Sequence, residues 1–152
     1  MTLRLIVSGG QTGVDRAALD AATELGIATG GWCPRGRLAE DGPIENRYTL
    51  RETPSSEYGE RTAWNVRDSD ATLILVRDAP TGGTAYTIAV AEEERKPVLI
   101  VRVGDKQAAV KIRRWLRAQS PAVLNVAGPR ESTSPGIYPE ARRILVEALR
   151  QR

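Results

Sequence analysis

The 152-residue chain has no histidine and a single cysteine, Cys33. The first absence removes histidine-based acid–base catalysis, histidine triads and histidine metal sites. Any chemistry must therefore run on carboxylates, arginines, hydroxyls or a ligand's own groups. The lone cysteine excludes an intrachain disulfide, which fits a reducing cytoplasm. Without a partner cysteine or histidine, Cys33 reads as a small buried residue, and no metal site is expected. No apolar run approaches the ~20 residues of a membrane span, so no membrane partner is expected. The N-terminus enters a strand at once, so no signal peptide is expected. The Gly-x-Gly-x-x-Gly fingerprint is missing, and no NAD is expected. No Gly-Lys-Ser/Thr follows a glycine loop, so it is not a Walker A loop either. Net charge is +3 with a pI near 9.3, but acids are spread among the bases. No basic tract carries interleaved aromatics, so the balance suits a small anionic ligand and not nucleic acid.

What the chain does have is a glycine-rich stretch near its start, Ser8-Gly9-Gly10-Gln11-Thr12-Gly13, with Asp15 and Arg16 behind it. Strand formers Leu3, Leu5, Ile6 and Val7 precede it. Val14, Ala17, Ala18, Ala21, Ala22 and Leu25 follow at the spacing of one helix face. The unit is strand, glycine turn, helix. Such a turn brings backbone N–H groups and the positive end of a helix to an anion. Thr12 and Asp15 have the spacing of a capping box.

A second loop, Gly31-Trp32-Cys33-Pro34-Arg35-Gly36-Arg37, follows a short strand at 27–29. Its two arginines suit bidentate contact with phosphate-like oxygens, and a solvated surface loop is the plain alternative. Residues 38–56 read as irregular, with a short strand at 48–50; long loops of this kind often bind ligands. A helix is expected from about Glu57 to Asp68, capped by Ser55 or Ser56. Ala71–Val76 is a near-continuous apolar run, the mark of a central parallel strand. It ends in a second glycine turn, Thr81-Gly82-Gly83-Thr84, that opens another helix with Thr84 as N-cap. Strand 98–103, a helix from Asp105 to about 118, strand 122–126 and a helix from 138 or 139 complete the alternation. The pattern is an α/β fold, a doubly wound, mainly parallel sheet of about five or six strands with helices on both faces. It spans one domain, residues 1–152. Trp64 and Trp115 read as packing residues. In such sheets ligands sit beyond the strand carboxyl ends, and two glycine turns there point to one shared anion crevice.

Together these motifs resemble the molybdenum carrier family, which includes the molybdenum cofactor carrier proteins. The resemblance rests on Ser8–Asp20, on Gly31–Arg37 with Ala39–Gly42, and on Arg61-Thr62 with Asn65-Val66 and Asp68–Thr72. Gly82-Gly83-Thr84, Ala127–Ser132 and Pro135–Tyr138 complete it. It implies a Rossmann-like fold, a homotetramer, and binding of molybdenum cofactor (Mo-molybdopterin) or molybdate in glycine-rich loops, with an apo-molybdoenzyme as acceptor. The binding residues then expected are Gly9, Gly10, Gln11, Thr12, Gly13, Asp15 and Arg16 in the first turn. From the second loop come Gly31, Pro34, Arg35, Gly36 and Arg37. Arg61, Asn65, Thr81, Gly82, Gly83 and Thr84 make the rest.

The wider Rossmann-like superfamily includes lysine-decarboxylase-like phosphoribohydrolases. Their motif implies an arginine nine residues before an aspartate, a spacing that Arg61 and Asp70 keep. It also implies a catalytic glutamate three residues after the Gly-Thr of the second glycine turn, where this chain has Thr87. Cleaving an N-glycosidic bond needs a carboxylate at the reacting centre. A nucleotide-binding or nucleoside-monophosphate phosphoribohydrolase-like protein is thus the alternative. It is disfavoured unless Asp15, Glu40 or Asp41 reaches the crevice. The expected function is non-catalytic carriage, with no catalytic residue assigned.

Overall fold

The computed structural model describes residues 3–150. In chain order its elements are β1 (Leu5–Val7), α1 (Val14–Glu24), β2 (Ala28–Gly30), β3 (Trp32–Cys33), β4 (Leu38–Ala39), β5 (Gly42–Pro43) and β6 (Arg51–Glu52). Then come α2 (Tyr58–Arg67), β7 (Ala71–Val76), α3 (Gly82–Glu93), β8 (Val98–Arg102), α4 (Ala108–Gln119), β9 (Val123–Ala127) and α5 (Ile137–Leu149). Five strands form one wholly parallel sheet in the order β2-β1-β9-β7-β8. The alternation of apolar strands with amphipathic helices therefore gives the α/β fold expected.

The apolar run Ala71–Val76 is buried at every position, because β7 has a strand on each side and helices on both faces. β8 is an edge strand and is correspondingly half exposed. On one face α5 packs against both α1 and α4; on the other α2 packs on α3. The main core joins Ile6, Leu73, Leu75 and Leu124 of the sheet to Ile112, Ile144 and Leu145 of α4 and α5. Asp70 sits at the amino end of β7. Its Oδ2 accepts the N–H groups of Ala122 at 3.0 Å and Val123 at 2.8 Å, which sets the start of β9 beside β7.

The segment expected to be irregular holds more structure than its sequence suggests. β4 and β5 form a small antiparallel hairpin, and β6 pairs in parallel with β3. The expected strand at 48–50 is instead a turn whose Tyr48 and Leu50 bury against Leu19, Cys33, Ala39 and Ile44. The Arg37 guanidinium holds this loop. It donates to the carbonyls of Ile44 (3.3 Å), Leu50 (3.1 Å), Glu45 (2.8 Å) and Tyr48 (3.0 Å).

Helix starts also differ in detail. The N-cap of α1 is Gly13, and that of α3 is Thr81, three residues before the expected Thr84. At α2 the N-cap is Glu57, not Ser55 or Ser56, and no side chain caps the helix; Ser55, two residues earlier, only accepts the Glu57 N–H at 3.0 Å.

Candidate functional site

β1 is followed outward by β2, and β7 is followed outward by β8 in the other direction. β9, the last strand in the chain, lies between them. Strand order therefore reverses across β1, β9 and β7, where an open α/β sheet leaves a crevice. There the protein has a cavity of about 340 Å³. Its walls are the loop after β1, the loop after β7, the loop after β9 and one flank of α2. The shared crevice inferred from the two glycine turns is present, and a third turn, Gly128-Pro129 after β9, joins it.

The first glycine turn does not, however, present its N–H groups to the cavity. The Gly10 N–H reaches Ser8 Oγ at 3.4 Å, and the Thr12 N–H donates to Gln11 Oε1 at 3.1 Å. The Val14 N–H donates to the Pro129 carbonyl at 3.3 Å and the Arg16 N–H to the Gln11 carbonyl at 3.1 Å. The Gln11 N–H donates to Asp15 Oδ2 at 3.3 Å, and the Gly9 N–H also turns toward that carboxylate. The anion held by this turn is thus Asp15 itself. The capping box assigned to Thr12 and Asp15 does not form. Asp15 reaches back to Gln11, and Thr12 Oγ1 bonds Glu40 and accepts the Glu131 N–H at 3.1 Å.

The second glycine turn is open. Thr84 and Ala85 N–H groups return to the Thr81 carbonyl, but those of Gly82 and Gly83 have no protein partner among the described residues. A Cβ at either glycine would meet nothing within 4 Å. These are two free donors at the positive end of α3. Two guanidiniums stand over the same space. Arg61 lies 5.1 Å and Arg130 5.5 Å from the ring centre of Tyr58, whose face attracts both cations. Arg61 is buried, donates to the Gly9 carbonyl at 2.7 Å and lies 3.9 Å from Asp15 Oδ2.

One polar atom in the wall is unpaired. Gln11 is 5% exposed, and its Oε1 accepts the N–H groups of Glu40 at 2.8 Å and Thr12 at 3.1 Å. Those two donors fix which end of the amide is oxygen. Its Nε2 is then the one buried side-chain nitrogen or oxygen without a partner among the described residues. A buried orphan donor is costly to leave unmade, and this one is closed off from the cavity that the rest of Gln11 lines.

Of the residues expected to bind, the structure brings Gly9, Gln11 and Asp15 to the cavity, with Arg61 and Asn65 from α2 and Thr81–Thr84 from the second turn. Asn65 is already engaged, since its amide clamps the Trp32 backbone through bonds of 2.8 and 3.0 Å. Gly10, Thr12, Gly13 and Arg16 lie behind the wall; Arg16 pairs with Asp41 at 2.6 Å. Gly31, Pro34, Arg35, Gly36 and Arg37 line no part of the cavity. Gly31 has φ near +123°, and a Cβ there would lie 2.4 Å from the Ser8 carbonyl, so its role is to let two backbones pass. Arg35 is exposed to solvent, and Arg37 spends its donors on the 44–50 loop. Of the three carboxylates offered as replacements for a catalytic glutamate, Asp15 lines the cavity, while Glu40 and Asp41 do not. Thr87 does line it, with its hydroxyl bonded to the Gly83 carbonyl at 2.9 Å. Asp70 is at the far end of the sheet.

Among the lining residues that no sequence motif assigned to the site are Tyr58, Asn125 and Arg130. Asn125 was detectable as the one polar residue inside the apolar strand Leu124–Val126. Arg130 follows Gly128-Pro129, a third glycine turn beyond a strand.

Burial pushes the Asp15 carboxyl up from 3.8 to about 6, against the opposing pull of Arg61 and the Gln11 N–H. The folded protein therefore favours the protonated acid. This stabilisation is complete below about pH 4 and is lost as the pH rises through 6; the gap corresponds to about 3 kcal/mol. Asp15→Asn carries no charge. It is expected to match the parent near pH 4 and to exceed it at pH 7 by up to about that amount, since the pull of Arg61 is already contained in the shift. Urea titrations of both proteins at pH 4, 5.5 and 7 check this, since every other carboxylate cancels in the difference.

A family model described as the circularly permutated YpsA SLOG family matches residues 6–149. A crystal structure described as "Putative molybdenum carrier protein", from Syntrophus aciditrophicus SB, is similar with a TM-score of 0.93 and 42% sequence identity. The match covers 97% of this chain and 96% of that one. No curated protein matches the chain.

Proposed function

The chain belongs to the circularly permutated YpsA SLOG family, and from that premise we propose that it binds, shields and carries molybdenum cofactor or a molybdate-like oxyanion in the crevice. The observation that carries this reading is the pair of unpartnered Gly82 and Gly83 N–H groups at the start of α3, facing the same cavity as Arg61 and Arg130. Two free backbone donors and two guanidiniums make a site for an anion's oxygens. The name of the similar crystal structure supports a molybdenum-bearing cargo. Among the described residues no cluster of His, Cys, Asp or Glu could hold a metal ion. Molybdenum would therefore be gripped through its oxo groups or through the phosphate of its pterin, not by protein ligands to the metal. Gly9, Gln11, Thr81 and Thr84 shape the space around it. Assembly as a homotetramer and hand-over to an apo-molybdoenzyme belong to the same reading. So does a cytoplasmic location; among the described residues no helix is long and apolar enough to cross a membrane.

The test is gel filtration after incubation with molybdenum cofactor, with molybdenum and pterin fluorescence measured in the protein peak. Near-stoichiometric amounts of both are expected, and Gly83→Asp, which puts a carboxylate where the anion sits, is expected to abolish them. Molybdenum without pterin would reduce the reading to an oxyanion site. Neither in the peak would overturn it.

One observation favours a second reading. Asp15 places a carboxylate in the crevice with its proton affinity raised toward neutrality, as a nucleotide-processing enzyme requires. Its position is not that of the missing glutamate: Asp15 lies in the first turn of α1, and Thr87 in α3. Release of free base from nucleoside monophosphates would establish this reading in place of carriage.

A further inference from the structure

α3 is built the wrong way round for the surface helix of a single chain. Such a helix turns its apolar stripe to the core and its polar side to water. Here the buried residues are Thr84, Thr87 and Ala91, and the two threonines line the cavity. The outward residues include Ala85, Ala89 and Tyr86, the last of them 47% exposed. Ile100 of β8 adds to this apolar side. Val101 and Val103 join the core that holds α4 and α5, and side chains alternate along a strand, so Ile100 points to the α3 side, 46% exposed.

The outward face has a pattern as well as an apolar character. Gly82, Tyr86, Ala89 and Glu93 are all exposed and follow at steps of four, three and four residues, the spacing of a helix-packing seam. That series reads the same in both directions. Two such helices laid antiparallel across a two-fold axis therefore set position 82 against 93 and position 86 against 89. The Tyr86 ring then packs over the small Ala89 of the second copy. The Glu93 carboxylate meets the second copy's Gly82, whose N–H has no partner in its own chain among the described residues. A negative side chain thus lies at the positive end of a helix. A parallel pairing would set ring on ring and the acids Glu92, Glu93 and Glu94 against themselves. The face holds both halves of its own complement, as an isologous contact requires.

We propose that α3 packs antiparallel on α3 of a second copy of this chain, with Tyr86 over Ala89 and Glu93 at Gly82, and that the second copy closes the mouth of the cavity. Gly82 and Tyr86 line the cavity as well as the seam, so each subunit lends a carboxylate to the rim of the other's site. The homotetramer proposed above leaves its contacts open. This seam is one of them, and it holds whatever the cargo is.

Sedimentation equilibrium is the first test. The parent is expected as a dimer or a multiple of it, not as the 16.6 kDa chain. Ala89→Arg puts a long charged side chain under Tyr86. It is expected to halve the parent's mass with an unchanged circular dichroism spectrum, because Ala89 is exposed in the single chain. Val110→Arg, also exposed but on α4 across the sheet, is expected to keep the parent's mass. Glu93→Gln is expected to weaken association about tenfold, since two helix ends in each dimer lose their counter-charge. Oxidation then reads the register. A mixture of Tyr86→Cys and Ala89→Cys chains is expected to form a disulfide-linked pair, and each variant alone to form much less. Cys33 is buried and takes no part. A monomeric parent overturns the proposal and leaves the face to a different protein. Ala89→Arg with the parent's mass overturns it too. Linkage as strong in each variant alone as in the mixture puts like residues together and refutes the antiparallel seam. None of these outcomes bears on anion binding, which calorimetry of the parent with inorganic phosphate reads separately.

Discussion

Gly13→Ala is expected to destabilise the protein by about 3–5 kcal/mol. Gly13 has φ 81° and ψ −130°, a backbone open to glycine and strained for a residue with a Cβ. That strain costs about 1–3 kcal/mol. The new methyl would also lie 2.4 Å from the Pro129 carbonyl oxygen and 2.9 Å from the Arg130 carbon and the Glu131 nitrogen. All three are backbone atoms, so no rotamer relieves the contact, and overpacking adds about 1–3 kcal/mol. Gly26→Ala separates the two causes. Gly26 also has positive φ, 72°, but a Cβ there meets nothing within 4 Å. It is expected to cost only the strain, at the lower end of the range. Urea denaturation of both variants with unchanged slopes gives the comparison. If Gly13→Ala costs no more than Gly26→Ala, the β9 loop is free to move away from α1, and the cavity wall it forms is soft. A loss of several kcal/mol is a large share of the 5–15 kcal/mol that holds a typical domain together.

The fold was legible because its signals are local and repeated. Ala71–Val76 reads as a buried strand because its apolar run is short and bounded by turns, and α1 shows its apolar face in sequence. The last strand looks no different from the others in the chain, yet β9 occupies the middle of the sheet. That is where a circular permutation leaves an end strand that has changed its place in the chain but not in space. The position of the cavity was legible where glycine turns mark strand ends, and what each turn holds was not, because one motif allows two uses. A glycine turn opening a helix binds an anion whether that anion is a ligand or a side chain of its own helix. Asp15 is four residues from Gln11, close enough to claim the turn for itself, and nothing in the pattern of types separates the cases. Which arginines reach the cavity was hidden for a related reason. Arg35 and Arg37 sit in a glycine loop and look like anion ligands. Whether a guanidinium faces a cavity or four carbonyls of its own loop depends on where residues 44–50 fold back, which no spacing in 31–37 encodes.

The arginines also give the sharpest functional expectation. On the proposed reading, Arg61→Ala lowers oxyanion affinity at least a hundredfold, whereas Arg37→Ala changes it by no more than a few fold. Arg61 has two roles that its removal ends together. It provides charge-assisted donors to the cavity that the α3 N-terminus also lines, and such a bond is worth about 1.5–3 kcal/mol, or about ten- to a hundredfold in affinity. It also offsets the Asp15 charge from 3.9 Å. Without it the buried carboxylate stands alone, repels an incoming anion more strongly, and titrates higher still. The affinity loss is therefore expected to be largest at pH 7.5 and smaller at pH 5.5, where Asp15 is protonated. Arg61→Lys keeps the charge without the planar fork and is expected to fall between. Arg37→Ala acts on the fold instead. Four carbonyls lose their donor, the 44–50 loop loosens, and thermal stability drops while the anion site keeps its own groups. Equilibrium dialysis with molybdate or phosphate at the two pH values, alongside melting curves, separates the two arginines. If Arg37→Ala abolishes binding and Arg61→Ala does not, the anion lies in the 31–37 loop, and the crevice between β1, β9 and β7 is not the site. If each arginine moves only its own readout, the guanidinium that spans from Gly9 to Asp15 is the one the ligand meets.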